Sequence, residues 1–147
     1  MNSIGQIKIL ETEDDIVKSE LLRLTAFNAD LQDFDVSNSY YYMGIKNNLF
    51  IPFGLFIKGQ LVAGCYVSNF NDSLYIDQLF VNPIFHNTGL RFGRMILRYI
   101  LNNKKQLEEI FERKLTTSTI EPLNEKCRAI YAKEGYELQD EIMVKAI

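Results

Sequence analysis

Leu79-Phe80-Val81-Asn82-Pro83-Ile84-Phe85-His86-Asn87-Thr88-Gly89-Leu90-Arg91-Phe92-Gly93 is the stretch where the residue pattern changes character. Up to Val81 the residues are strand formers. Over 89–101, Phe92, Ile96, Tyr99 and Ile100 fall on one side of a helix and Arg91, Arg94 and Arg98 on the other. A strand therefore feeds a helix here. The first turn of a helix has backbone N–H groups without intrahelical partners and a partial positive charge, so an anion placed there gains hydrogen bonds as well as dipole attraction. Phosphate suits such a site. Gly89 lets the backbone approach a ligand closely, and the three arginines extend the positive field along one face. Each exposed dipole contribution is only about 0.3–1 kcal/mol, so affinity requires several contacts. On this segment alone, a capped helix with solvated arginines stands as the competing reading.

Upstream, residues 53–57, 61–68 and 73–81 are β-rich runs separated by short turns, Lys58-Gly59-Gln60 and residues 69–72, which predicts an antiparallel meander. Further back, residues 6–10 alternate like a short strand. Residues 14–27 carry Ile16, Val17, Leu21, Leu24 and Phe27 at near-helical spacing, with Thr12 as N-cap and Glu13, Asp14 and Asp15 in the first turn. A second helix is expected at about 37–47. Downstream, residues 114–120 read as a strand and 123–134 as a helix closed by Gly135 at C′. Residues 136–147 read as one or two final strands. Strand, helix and strand in that order imply a right-handed parallel crossover. The expected fold class is α/β (α+β), with a mixed, mostly antiparallel sheet flanked by helices and containing a βαβ crossover.

The 147 residues suit one core, so a single domain over 1–147 is expected. Apolar residues make up 47% and charged residues 24%, which excludes disorder and collagen-like structure. Cys65 and Cys127, far apart and in no CxxC spacing, give neither a disulfide framework nor a zinc ribbon, and both read as buried small hydrophobes. His86 is the single histidine, so sites that need several imidazoles cannot be built and no metal is expected. A net charge of -3 argues against wholesale binding to a nucleic-acid backbone. Without an apolar run of about 20 residues or a leader-like segment in residues 1–10, a cytoplasmic chain with no membrane partner is expected.

A second segment, Asn124-Glu125-Lys126-Cys127-Arg128-Ala129-Ile130-Tyr131-Ala132-Lys133-Glu134-Gly135-Tyr136, follows the crossover strand. With it the chain resembles the GCN5-related N-acetyltransferase (GNAT) superfamily. That family has a V-x-P-x-x-[Q/R]-x-x-G-x-[G/A] stretch after its fourth strand and an N-x-x-A-x-x-x-Y-x-x-x-G-[F/Y] helix later. Here the first reads Val81-x-Pro83-x-x-His86-x-x-Gly89-x-Arg91, a partial match. The second, closer, reads Asn124-x-x-Cys127-x-x-x-Tyr131-x-x-x-Gly135-Tyr136. Neither motif is specific alone; their order, the helix and strand between them and the preceding meander carry the resemblance, which covers residues 53 onward.

The resemblance implies acetyl-coenzyme A as donor and direct attack by a primary amine, on a small molecule or a protein. Its pyrophosphate would lie on main-chain N–H groups of His86, Asn87, Thr88, Gly89, Leu90 and Arg91. The pantetheine arm would run along Leu79, Phe80 and Val81, where the central parallel strands splay, with an N–H of this stretch polarising the thioester carbonyl. Asn124 would bond the cofactor arm. Tyr131 would face the sulfur as general acid: a phenol of pKa about 10 protonates a thiolate of about 8.5 at little cost. His86 stands where the family has Gln or Arg and is assigned to binding. Arg91 stands where the family has a small residue, so its side chain must point outward to spare the cradle. Making a lysine-like amine neutral at pH 7 costs about 4.6 kcal/mol. Asp77 is the nearest carboxylate on the central strand and the candidate base, with Glu121 the other carboxylate considered. Tyr40, Tyr41, Tyr42 and Met43, with Phe34, form an aromatic cluster that would either wall an acceptor pocket or fill the core. A non-catalytic coenzyme A-binding or protein-interaction module on the same fold is the alternative, and the final strands leave a homodimer open.

Overall fold

The strand-forming runs become β1 (Gln6–Ile9), β2 (Ile51–Ile57), β3 (Gln60–Phe70), β4 (Ser73–Val81), β5 (Thr117–Ile120), β6 (Glu137–Gln139) and β7 (Ile142–Ala146). The computed structural model describes residues 5–27, 35–86 and 91–147. The strands form one seven-stranded sheet in the order β1-β2-β3-β4-β5-β7-β6. β1 pairs antiparallel with β2, and β7 antiparallel with both β5 and β6. β4 and β5 are parallel, as the strand-helix-strand order requires. The helices are α1 (Glu13–Ala26), α2 (Tyr40–Lys46), α3 (Phe92–Asn102), α4 (Lys104–Phe111) and α5 (Glu125–Lys133). Among the described residues, no helix is long and apolar enough to cross a membrane.

The chain divides into two compact units, residues 1–66 with 78–100, and residues 67–77 with 101–147. In the first, α1 begins where expected, Thr12 accepting the Asp15 N–H at 3.1 Å. The face it buries is only partly the apolar stripe of the sequence: Ile16 is buried and Val17 packs against the core, but Ser19 and Glu20 are buried too, whereas Leu21 and Phe27 are 39% and 38% exposed. α2 starts later than its pattern suggests because Ser39 caps it, accepting the Tyr42 N–H at 2.9 Å, and a 3₁₀ turn at Val36–Asn38 precedes it. Leu10, Ile16, Tyr42, Ile45, Phe50, Tyr66 and Phe80 form the core under α1 and α2. Gly64 admits Phe80 there, since a Cβ at that position would lie 2.5 Å from Phe80 Cζ. α3 buries Phe92, Ile96 and Ile100 of the expected apolar face together with Leu97, whereas Tyr99 is half-buried.

In the second unit, β5 lies between β7 and the first half of β4. It starts at Thr117, not at residue 114, because the Leu115 N–H is taken by Glu108 Oε2 at 2.8 Å and the Thr116 N–H by Asp72 O at 2.8 Å. α4 was not anticipated from the sequence, although Leu107, Ile110 and Phe111 give it an apolar side and Leu107 is fully buried. Cys65, in the first unit, is buried as expected; Cys127 is only half-buried.

α5 ends in a Schellman turn: the Gly135 N–H bonds Ala132 O at 3.1 Å and the Tyr136 N–H bonds Tyr131 O at 3.1 Å, with Gly135 at φ 97°. Lys145 donates to the Glu134 carbonyl at 2.7 Å, closing the same helix end. A Cβ on Gly135 would meet Lys145 Cε at 3.2 Å in a left-handed conformation. Gly135→Ala is therefore expected to lose about 1–2 kcal/mol in a urea titration with unchanged slope. No loss would mean that this turn relaxes freely.

Candidate active site

The functional reading rests on β4. Its register with β5 runs from Ser73↔Thr117 to Ile76↔Ile120, whereas β4 itself continues to Val81. The strand after Ile76 has left the parallel ladder. The Asn82 N–H bonds Val62 O on β3 at 2.9 Å, so strand alternation turns the N–H groups of Leu79 and Val81 to the edge away from β3. Their side chains face α3, Val81 Cγ2 and Leu79 Cδ2 lying 3.6 and 3.9 Å from a Cβ position on Gly93. Phe80 points the other way, its ring 5.3 Å from that of Tyr66. These two main-chain donors on an unladdered edge can hold an extended ligand by β-type hydrogen bonds and polarise a carbonyl placed beside them.

Past β4, Asn82 caps a 3₁₀ turn at Pro83–Phe85 by accepting the Ile84 N–H at 3.1 Å. His86 is exposed, and its Nε2 lies 3.2 Å from Val81 O. A carbonyl only accepts, so Nε2 carries the proton and the ring is turned back onto the end of β4. Asn87, Thr88, Gly89 and Leu90, the middle of the expected diphosphate cradle, lie outside the described residues, as does Phe34. Arg91 is exposed at φ 56°, immediately before α3.

The remaining candidates belong to the second unit. Asp77 accepts the Ser68 hydroxyl at 2.6 Å across the β3–β4 hairpin. Burial raises its carboxyl above the usual carboxylate range, against the smaller lowering effect of that hydrogen bond. Glu121 is exposed. Asn124 accepts the Cys127 N–H at 2.9 Å as the N-cap of α5, so its amide nitrogen is the group left to face a ligand. Tyr131 is buried on α5, its ring 6.3 Å from that of Tyr136, whose hydroxyl meets Ser118 Oγ at 2.8 Å.

The expected aromatic cluster is split by the packing. Tyr42 is core and donates to Glu13 Oε1 at 2.5 Å, Tyr40 and Met43 are exposed, and Tyr41 is half-buried. Beside Tyr41 lies a polar network that the sequence reading missed. Glu20 is 0% exposed, and its two oxygens accept from four donors: Arg23 Nε at 2.7 Å, Arg23 Nη2 at 3.1 Å, Ser39 Oγ at 2.6 Å and Tyr66 Oη at 2.8 Å. The Tyr66 hydroxyl also lies 2.8 Å from Ser19 Oγ, whose single proton has Ile16 O, at 2.8 Å, as a second acceptor within reach. Burial and the Glu20 charge push the Tyr66 phenol well above its ordinary range. The available signal was a Glu inside the apolar stripe of a helix, with an Arg three residues on.

No family model matches the sequence, and no curated protein matches it. Solved structures do match it. An N-acetyltransferase, PaiA, from Thermoplasma acidophilum in complex with coenzyme A superposes with a TM-score of 0.69 at 13% identity, over 97% of this chain and 99% of the other. A ribosomal-protein-alanine N-acetyltransferase from Escherichia coli gives 0.65 at 19% identity, over 97% and 94%. A GNAT family acetyltransferase from Elizabethkingia anophelis with acetyl-CoA bound gives 0.67 at 11% identity, over 99% and 100%. The chain has the GNAT fold. The β4–β5 parallel pair is present, its register ending at Ile76↔Ile120, where β5 ends. The α5 motif is in place as well, Asn124 at its start and Gly135 at its end.

Proposed function

We propose that the chain is an acetyl-CoA-dependent N-acetyltransferase that transfers an acetyl group to a primary amine by direct attack. The observation that carries this reading is the pair of N–H donors at Leu79 and Val81, on a strand edge that has left the β5 ladder. The fold, shared with structures that hold coenzyme A or acetyl-CoA, supports it. Acetyl-CoA supplies the activated acyl group. The protein's part is to line up the pantetheine arm along Leu79, Phe80 and Val81, and to hold the diphosphate at His86 to Arg91, with Asn124 donating to the arm. An N–H of the β4 edge polarises the thioester carbonyl, Asp77 takes the proton from the incoming amine directly or through water, and Tyr131 returns one to the departing thiolate.

Thiol release from acetyl-CoA across a panel of primary amines, with calorimetry for coenzyme A, tests the proposal. Turnover on an amine supports it. Coenzyme A binding without turnover on any acceptor favours a non-catalytic module, and absence of binding by folded protein overturns both.

Asp77 gives a pH signature. Because folding raises its pKa, its protonated form is favoured in the folded state. Any stabilisation from this group is thus present below the ordinary carboxylate value and lost as pH rises through the raised one. Asp77→Asn is expected to be at least as stable as wild type at pH 7 in thermal melts, while kcat/KM falls about 100-fold and the part of its acidic limb set by this carboxyl disappears, leaving the part set by the amine. Raising the pH should recover part of the loss, since the amine then arrives neutral. A variant with a normal profile removes Asp77 from the mechanism.

A further inference from the structure

The β3–β4 hairpin changes register part-way along. In the first unit the Asn82 N–H bonds Val62 O at 2.9 Å, and Gly64 lies against the Phe80 ring. Continued without interruption, that pairing would set Ser68 against Ile76 and Phe70 against Leu74. In the second unit Ser68 instead bonds Asp77 at 2.6 Å, and the Phe70 and Tyr75 rings meet edge to face at 6.3 Å. β3 therefore uses one residue more than β4 between Gly64 and Ser68, the count of a β-bulge. An extra residue reverses the side of the sheet that the following side chains take. It turns the Ser68 hydroxyl to the side of Asp77, which alternation along β4 shares with Leu79 and Val81.

The contact suits a charged acceptor. A carboxylate oxygen only accepts, so Ser68 donates, and 2.6 Å is the length of a charge-assisted O–H···O bond. Both side chains are half-buried. Burial favours the neutral form of Asp77, and a donor to the charged form opposes it. On the β5 side, the residue after the Ile76↔Ile120 pair is Glu121, exposed and of like charge. On β3 the residues flanking Ser68, Val67 and Asn69, carry no charge.

We infer that Ser68 is the positioning residue of the proposed base, its hydroxyl holding the Asp77 carboxylate in the orientation from which it takes the proton of the attacking amine. This rests on the reading of Asp77 as base and adds the group that aims it. In the transfer the amine N–H bond breaks, its electron pair stays on nitrogen, and the proton goes to the carboxylate or to a water between them. Ser68 keeps its own proton, acts through Asp77 and need not touch the substrate.

The test measures thiol release with the amine of the panel that gives the highest kcat/KM. Ser68→Ala is expected to lower kcat roughly tenfold, the scale of a hydrogen bond to a charged group, with the KM for acetyl-CoA and the melting temperature close to wild type. Ser68→Thr keeps the hydroxyl and should recover most of the loss. In an Asp77→Asn background Ser68→Ala should cost nothing further, because the serine acts only through the carboxylate. An undiminished kcat in Ser68→Ala, a threonine variant as slow as the alanine one, or a loss that multiplies with that of Asp77→Asn overturns the inference. A second readout needs no turnover: carbon-13 NMR follows the Asp77 carboxyl through a pH titration. Its midpoint should move upward in Ser68→Ala and return in Ser68→Thr, since the removed donor favours the charged form. If wild type releases no thiol with any amine while this midpoint moves, the enzyme reading fails and the hold of Ser68 on Asp77 stands; an unmoved midpoint overturns that hold itself.

Discussion

Glu20→Ala is expected to lose about 3–5 kcal/mol of folding stability, the usual cost of removing one partner of a buried ion pair. The carboxylate is 0% exposed and accepts from Arg23 twice, from Ser39 and from Tyr66. Alanine leaves a guanidinium with 13% side-chain exposure and two buried hydroxyls without their acceptor. Against a typical total of about 5–15 kcal/mol, such a loss brings the chain close to unfolding at room temperature. Urea denaturation measures it, as a midpoint displaced at constant slope. The mechanism makes a second demand. Glu20→Leu combined with Arg23→Met removes both charges and fills their volume, and should recover the part of the loss that comes from the stranded guanidinium, while the Ser39 and Tyr66 hydroxyls still lack their acceptor. A single variant losing less than about 1 kcal/mol, or a double variant as unstable as the single one, contradicts this account.

That same residue shows where sequence reading runs out. On α1, periodicity assigned the core face to apolar side chains, yet Leu21 and Phe27 are exposed and Ser19 and Glu20 are buried. The buried charge is tolerable only because Ser39 and Tyr66 reach it, and they stand 19 and 46 positions away along the chain. Local spacing carries no information about such partners. α3 was legible for the opposite reason: Phe92, Ile96 and Ile100, which its spacing names, are buried without needing polar partners, so its pattern decides most of its face. α4 is short, follows α3 after the single residue Asn103 and was absorbed into the preceding connection, although the Leu107 spacing was present.

The candidate site divides along similar lines. The strand-to-helix change at Val81 and the Asn124 to Gly135 spacing reflect local backbone geometry, a cap at one end of α5 and a left-handed turn at the other, and both were readable. The Asn124 cap also explains that asparagine structurally, since its oxygen meets the backbone N–H three residues on, a donor that any residue but proline at position 127 supplies. Asp77 was readable as a carboxylate on the strand but not as a perturbed one, because its upward shift comes from burial, opposed by the Ser68 hydroxyl across the hairpin. The Gln78–Tyr41 hydrogen bond had no sequence signal, since its partners stand 37 positions apart.

Tyr131→Phe is expected to lower kcat about a thousandfold, within the range for a general acid acting on a poor leaving group. The ring is buried on α5 against Tyr136, and phenylalanine fills nearly the same volume, so the fold should survive the change. The KM for acetyl-CoA and the melting temperature should therefore stay close to wild type, which separates lost chemistry from lost structure. The stronger demand concerns the leaving group. A coenzyme A thiolate, with a conjugate acid near 8.5 if it behaves as cysteine, departs more readily once protonated, and a phenol of about 10 can supply that proton. An aryl thioester donor expels a thiolate too weakly basic to need one. With such a donor the variant should approach wild-type turnover, while Asp77→Asn should remain slow because it fails at the amine and not at the sulfur. A Tyr131→Phe enzyme that is equally impaired with both donors assigns the hydroxyl to binding or packing, and one with normal kcat on acetyl-CoA removes it from the reaction altogether.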